Sequence, residues 1–185
     1  MKKEFTSSES WNNAALAGLV MAAVTIAAEL IGGLCGKITG FFGGVANFLA
    51  WAGKLVLCAV TFRYLMKRFH DSFNEIDYPR LQHYGMKLAL FSSIIVAAYT
   101  VVNFMVFTPG SVEEIMGTVK DTYASMLDSN SEAALEKMLP KMPYYTAIGG
   151  FIYCFLWGWV YSIVFAKNIS PNDPFSEMEE TVDNQ

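Results

Sequence analysis

The sequence predicts an all-α protein: a four-helix transmembrane bundle with an amphipathic helical pair in the outer loop between spans three and four. Three observations predict it. Four apolar stretches run at Asn13–Leu34, Phe42–Met66, Met86–Phe107 and Tyr144–Ala166. Each holds about 20 or more mostly apolar residues, enough for a helix rising 1.5 Å per residue to cross a hydrocarbon core about 30 Å thick. Apolar residues make up 54% of the 185 and charged residues 16%, at a net charge of −4. Between the third and fourth stretches, apolar residues recur at helical spacing. Lipid offers the backbone no hydrogen-bond partner, so a spanning segment is a helix or part of a closed barrel. Barrel strands alternate over about 10 residues, and these stretches do not.

The first span follows Lys2 and Lys3. A cleaved signal peptide has an apolar run of about 7–15 residues. This run is longer and carries Glu29 near its far end, so it reads as an uncleaved span. Gly18, Ala22, Thr25, Glu29, Gly33 and Gly36 fall at steps of three or four and form a small, polar face that admits a neighbouring backbone. Gly32, Gly36, Gly40 and Gly44 then straddle the turn into span two. They read first as a tight hairpin. A broken-helix element beside a binding cavity is the second reading, but the two halves show no convincing internal repeat.

In span two, Asn47, Trp51, Lys54, Cys58 and Thr61 share a face; in span three, Ser92, Tyr99 and Asn103 do. The loop over 67–83 carries Phe69, Phe73 and Ile76 at helical spacing among charges, the pattern of a short interfacial helix. Pro109-Gly110 ends the third span. Ser111 with Glu114 makes a capping box. Val112, Ile115, Met116, Val119, Tyr123 and Met126 follow on one face, predicting a helix at about Val112–Leu127. Asp128-Ser129-Asn130 breaks it. Ser129 with Glu132 caps a second helix at about Ser131–Leu139, which Pro140 and Pro143 stop. Residues 1–170 form one transmembrane domain, and the acidic tail 171–185 is expected to be disordered.

Charge sets the expected topology. Lys2, Lys3, Arg63, Lys67, Arg68, Arg80, Lys87 and Lys167 flank one side. Lys37, Lys120, Lys137 and Lys141 flank the other, and Lys54 lies within a span, which accounts for all 13 cations. The positive-inside rule places both termini and the 67–83 loop in the cytoplasm. Trp11 and Tyr84 fit the cytoplasmic interface; Tyr144 and Tyr145 fit the outer one.

Glu29 and Lys54 are the ionisable residues inside spans. A mid-bilayer charge costs roughly 2.5–3.5 kcal/mol on insertion scales, so such residues turn inward and find partners. Their depths differ by roughly 4–10 Å, much of which a Lys stem can bridge. With Asn47 and Asn103 they form the candidate intramembrane polar site. The two residues pair to set the register of helices 1 and 2, serve a proton- or ion-coupled step, or stand unpaired at interfaces. Catalytic, cofactor and metal residues are not expected. Cys35, Cys58 and Cys154 are an odd, scattered set suited to packing. His70 and His83 lack a second metal ligand at a recognised spacing. There is no basic tract for nucleic acid, and no P-loop, GxSxG or HExxH motif.

Phe62-Arg63-Tyr64 closes the first hairpin, and Tyr84-Gly85-Met86-Lys87 opens span three. Phe107-Thr108-Pro109 ends that span, and a Glu- and Met-rich outer stretch precedes span four. In this pattern the chain resembles the domain of unknown function 4199 family, small four-span inner-membrane proteins of Bacteroidetes, from about Trp11 to Lys167. The glycine and phenylalanine pattern at the start of span three is only partly kept. The resemblance implies the fold and carries no activity or catalytic residue. The expected function is therefore non-enzymatic, through helix packing or partner contact in the inner membrane. The partners expected are the bilayer and either a second copy or another membrane protein. The alternative is a subunit of a small oligomeric transporter or channel using Glu29 and Lys54, since four spans rarely enclose a pathway alone.

Overall fold

The computed structural model describes residues 7–35, 41–73, 76–108, 110–123, 134 and 137–170. Among these the protein is all-α. Its helices are α1 (Ser7–Cys35), α2 (Phe41–Ser72), α3 (Tyr78–Val102), α4 (Ser111–Tyr123) and α5 (Met142–Ile169). A π turn (Asn103–Phe107) extends α3, and a 3-10 turn (Leu139–Lys141) precedes α5. Four helices are long and apolar enough to cross a membrane, and they fit a four-helix transmembrane bundle. This is a multi-pass membrane protein.

The helices outrun the apolar stretches at their polar ends. α2 has 32 residues, a length of about 48 Å, which exceeds a hydrocarbon core of about 30 Å. Hydropathy marks the part that crosses lipid, whereas the backbone ladder continues as far as its local hydrogen bonds allow. The expected interfacial helix around Phe69 is therefore the last turns of α2. Phe69, Phe73 and Ile76 do not lie on a membrane surface; all three are buried. α3 begins at once, with the Leu81 N–H donating to the Asp77 carbonyl at 3.0 Å. Asp77 thus holds the cap position, where Asp is favoured, and Pro79 sits in the first turn, where its missing N–H is not needed.

The chain divides into two compact units, Met1–Ser93 with Cys154–Gln185, and Ile94–Tyr153. The core of the first unit gathers Ala14, Ala17 and Met21 of α1 and Phe62, Leu65, Met66 and Phe69 of α2. Leu81, Tyr84, Leu88 and Ala89 of α3 and Ala166 of α5 complete it. It lies at the end that carries the α2–α3 turn. Lipid tails are as apolar as Leu and give helices little reason to associate. Phe69, Phe73, Ile76 and Leu81 of this core lie outside the apolar stretches, and there burial from water does stabilise. Ser170 ties this end together: its hydroxyl donates to the Ile76 carbonyl at 3.4 Å.

Close helix approaches in this unit rest on glycines. A Cβ on Gly18 of α1 would lie 2.6 Å from the Phe91 Cβ of α3. On Gly85 of α3 it would meet the Ser162 Cβ of α5 at 2.6 Å, and on Gly158 of α5 the Ala89 Cβ at 2.4 Å. No side chain fits at these points, so the helix axes come closer there than side chains would permit.

In the second unit, Thr108 closes the π turn. Its N–H and hydroxyl both donate to the Asn103 carbonyl, at 2.8 and 3.1 Å. Thr108 has φ −135° and ψ 56°, outside the helical region, as the residue before a proline prefers. α4 confirms the first half of the expected amphipathic pair, with Val112 and Met116 buried. Its first bond runs from the Glu114 N–H to the Gly110 carbonyl at 3.1 Å, which puts Gly110 rather than Ser111 at the cap. The break at Asp128–Asn130 and most of the second amphipathic helix lie outside the described residues, as does the tail after Ser170. Ala134, Lys137 and Met138 are helical. Pro143 does not stop a helix; it lies in the first turn of α5.

Candidate functional site

The small polar face of α1 meets the polar face of α2. Lys54 Nζ donates to Glu29 Oε1 at 2.8 Å, an ion pair whose side chains are 26% and 35% exposed. One turn along, Thr25 Oγ1 lies 3.7 Å from Cys58 Sγ, both residues being buried. Four residues back on α1 correspond to four residues forward on α2, the register of an antiparallel pair. The Thr25 hydroxyl also donates to the Met21 carbonyl at 2.9 Å, which returns its proton to the helix backbone. Cys154 of α5 is a free, half-buried thiol within electrostatic reach of Lys54, Glu29 and Cys58.

The structure thus unites two of the four residues expected at this site. Asn47 is exposed on α2, two turns and about 10 Å along the axis from Lys54. Asn103 belongs to the second unit, where its carbonyl closes the π turn. Ser92 of α3 is buried against the far end of the same α1 face, its backbone N 3.1 Å from where a Gly18 Cβ would be. Gly18 is about 16 Å along α1 from Glu29. Three polar stripes on three helices do not imply one meeting point, because each helix can turn its stripe to a different neighbour.

A second polar cluster was not legible as such. The Tyr84 hydroxyl donates to Asn13 Oδ1 at 2.9 Å, and its ring stacks on Phe69 with centroids 3.6 Å apart. Tyr84 is 1% exposed, so it is a core residue rather than an interfacial anchor. Lys87 Nζ donates to the buried Ser10 hydroxyl at 3.2 Å and sits 4.7 Å from the centroid of the Trp11 ring. The signal for this cluster was the pairing of Tyr84 and Lys87 one turn apart, read only as belt and charge.

Chemically, the first site neutralises two intramembrane charges against each other. Among the described residues, no group of three or more His, Cys, Asp or Glu could hold a metal ion. A cavity of about 320 Å³ in the second unit lies among Ala97, Ala98 and Val101 of α3 and Tyr144, Ala147 and Phe151 of α5. No ionisable group but the Tyr144 phenol lines it.

No family model matches the chain, and neither curated proteins nor solved structures yield a match. The resemblance to the domain of unknown function 4199 family therefore rests on the residues quoted for it.

Proposed function

We propose that this is a non-enzymatic protein of the inner, cytoplasmic membrane, with both termini in the cytoplasm, acting through helix packing and contact with a protein partner. The partner is a second copy or another membrane protein. One observation carries the reading: the intramembrane charges Glu29 and Lys54 engage each other at 2.8 Å. A pair so engaged fixes the α1–α2 register and leaves neither group poised for proton transfer to a third. The sorting of eight of the 13 cations to one side supports the orientation.

A double-mutant cycle tests the pair. Glu29→Gln and Lys54→Met are made singly and together, and stability is measured in mild detergent. Breaking a fully buried pair costs about 3–5 kcal/mol. Partial exposure reduces this, and the expected coupling is about 1–3 kcal/mol. Additivity within about 0.5 kcal/mol would overturn the pairing.

The second reading, a subunit of an oligomeric transporter or channel, draws on the same pair's incomplete burial, at 26% and 35% exposure. Opening of this pair would be the first step of a coupled cycle. Proteoliposomes decide: a proton or cation flux abolished by Glu29→Gln would favour transport, and flux no greater than in empty liposomes favours packing.

A further inference from the structure

The last turns of α2 have two unlike faces. Phe62, Leu65, Met66 and Phe69 are buried. Arg63, Tyr64, Lys67 and Arg68, interleaved with them, are exposed. Arg63 and Lys67, and likewise Tyr64 and Arg68, are one turn apart on the helix surface, within about 6 Å at their Cβ atoms. Like charges at that spacing repel. Among the described residues no carboxylate lies within 4.0 Å of any of the three cations. Asp71, one turn beyond Lys67, is instead 3.4 Å from His70 Nδ1. Three positive charges are thus concentrated on one face, and among the described residues none of them is held in an ion pair.

The same face changes character toward the membrane centre. Val56, Leu57 and Val60 precede Tyr64 at helical spacing and are all exposed. From Val56 to Lys67 the helix rises about 16 Å, close to half of a hydrocarbon core about 30 Å thick. The face therefore presents about 6 Å of aliphatic surface from Val56 to Val60, then Arg63 beside the Tyr64 ring at headgroup level, then Lys67 and Arg68 one turn further on.

We propose that this face binds an anionic phospholipid. Its acyl chains run along Val56, Leu57 and Val60. Its phosphate meets Arg63, Lys67 and Arg68, with the planar arginine fork taking two phosphate oxygens at once. A lipid with a net negative charge is selected over a zwitterionic one, whose own ammonium already compensates its phosphate. The inference holds whichever compartment this end of the bundle faces, and it is independent of the Glu29–Lys54 pair.

The full-length protein in mild detergent tests it. Phosphatidylglycerol, phosphatidylcholine and inorganic phosphate are titrated in turn, with bound lipid counted by native mass spectrometry. Phosphatidylglycerol should bind in preference. A surface cation contributes about fivefold to attraction for anionic lipid, so each of Arg63→Gln, Lys67→Gln and Arg68→Gln should lower the preference about fivefold. The paired change Lys137→Gln and Lys141→Gln should leave it intact. Equal binding of the two lipids by the unaltered protein would overturn the proposal. So would an undiminished preference after all three α2 changes, or displacement of phosphatidylglycerol by equimolar inorganic phosphate, which marks a site for soluble phosphate. If the triple variant does not fold, salt decides on the unaltered protein. The preference must fall between about 50 and about 500 mM salt, because exposed charges are screened, and a preference that does not fall refutes the site.

Discussion

Gly158→Ala should destabilise the protein, although alanine is the better helix former. A Cβ at this position on α5 would lie 2.4 Å from the Ala89 Cβ of α3, 3.3 Å from its Cα and 3.7 Å from Phe62 Cε2. Carbon atoms rest at about 3.5–4.0 Å, so the two helices must part by about 1 Å. The obstacle is a Cβ fixed to a helix backbone, with no rotamer that gives way. The separation also loosens the next turn, where Gly85 faces Ser162. A gap of 0.5–1 Å forfeits about a quarter to a half of each contact's attraction, and overpacking typically costs about 1–3 kcal/mol. Taking about 2–3 kcal/mol for this rigid contact, less the roughly 0.5–1 kcal/mol that alanine gains over glycine in a helix, leaves a net loss of about 1–2.5 kcal/mol. The assay is equilibrium unfolding in mild detergent, followed by circular dichroism. Gly53→Ala is the control, since nothing lies within 4 Å of a Cβ there, and it should be neutral or stabilising. Ala89→Gly alone should cost about 1 kcal/mol in helix propensity, but in the Gly158→Ala background it removes the clash and should recover stability. Gly158→Ala as stable as Gly53→Ala, or strict additivity with Ala89→Gly, would refute the reasoning.

Tyr84→Phe removes the hydroxyl that donates to Asn13 Oδ1 at 2.9 Å and keeps the ring on Phe69; it should cost about 1 kcal/mol and be non-additive with Asn13→Ala. Unchanged unfolding would count against the bond. The orientation is checked in a background without native cysteines: Lys2→Cys and Arg68→Cys should label only from the cytoplasmic side, and Asp128→Cys from outside intact cells. Labelling at position 128 only after membrane rupture would invert the topology. The coupling of Glu29 with Lys54 and the lipid preference of the α2 face have their own tests, given above.

The Glu29–Lys54 pair was legible because two conditions sufficed: each charge must turn away from lipid, and a lysine stem can span the depth difference. The pairing of Thr25 with Cys58 then followed from the same antiparallel register. Asn47 and Asn103 were less constrained, because an uncharged amide costs less to leave at a helix surface or turn. Phe69, Phe73 and Ile76 show the opposite failure. Their periodicity gave the apolar face correctly, but the same stripe suits a membrane surface or a protein core. The burial of all three, with Tyr84 stacked against Phe69, distinguishes the two.

The sequence by itself determined that the chain is helical, that it crosses a membrane four times, and that its two intramembrane charges turn from lipid. The physical reason is that the bilayer requires the backbone to satisfy its own hydrogen bonds, which local sequence can do alone. The tertiary structure decided which glycines matter. Gly32 and Gly44 drew notice by their spacing, yet a Cβ on either meets nothing within 4 Å, whereas Gly18, Gly85 and Gly158 each sit under a neighbouring helix. It also decided that Tyr84 is core and that Lys87 is held over Trp11. Packing between helices depends on which faces approach one another and how closely, a relation among distant residues that no local period encodes.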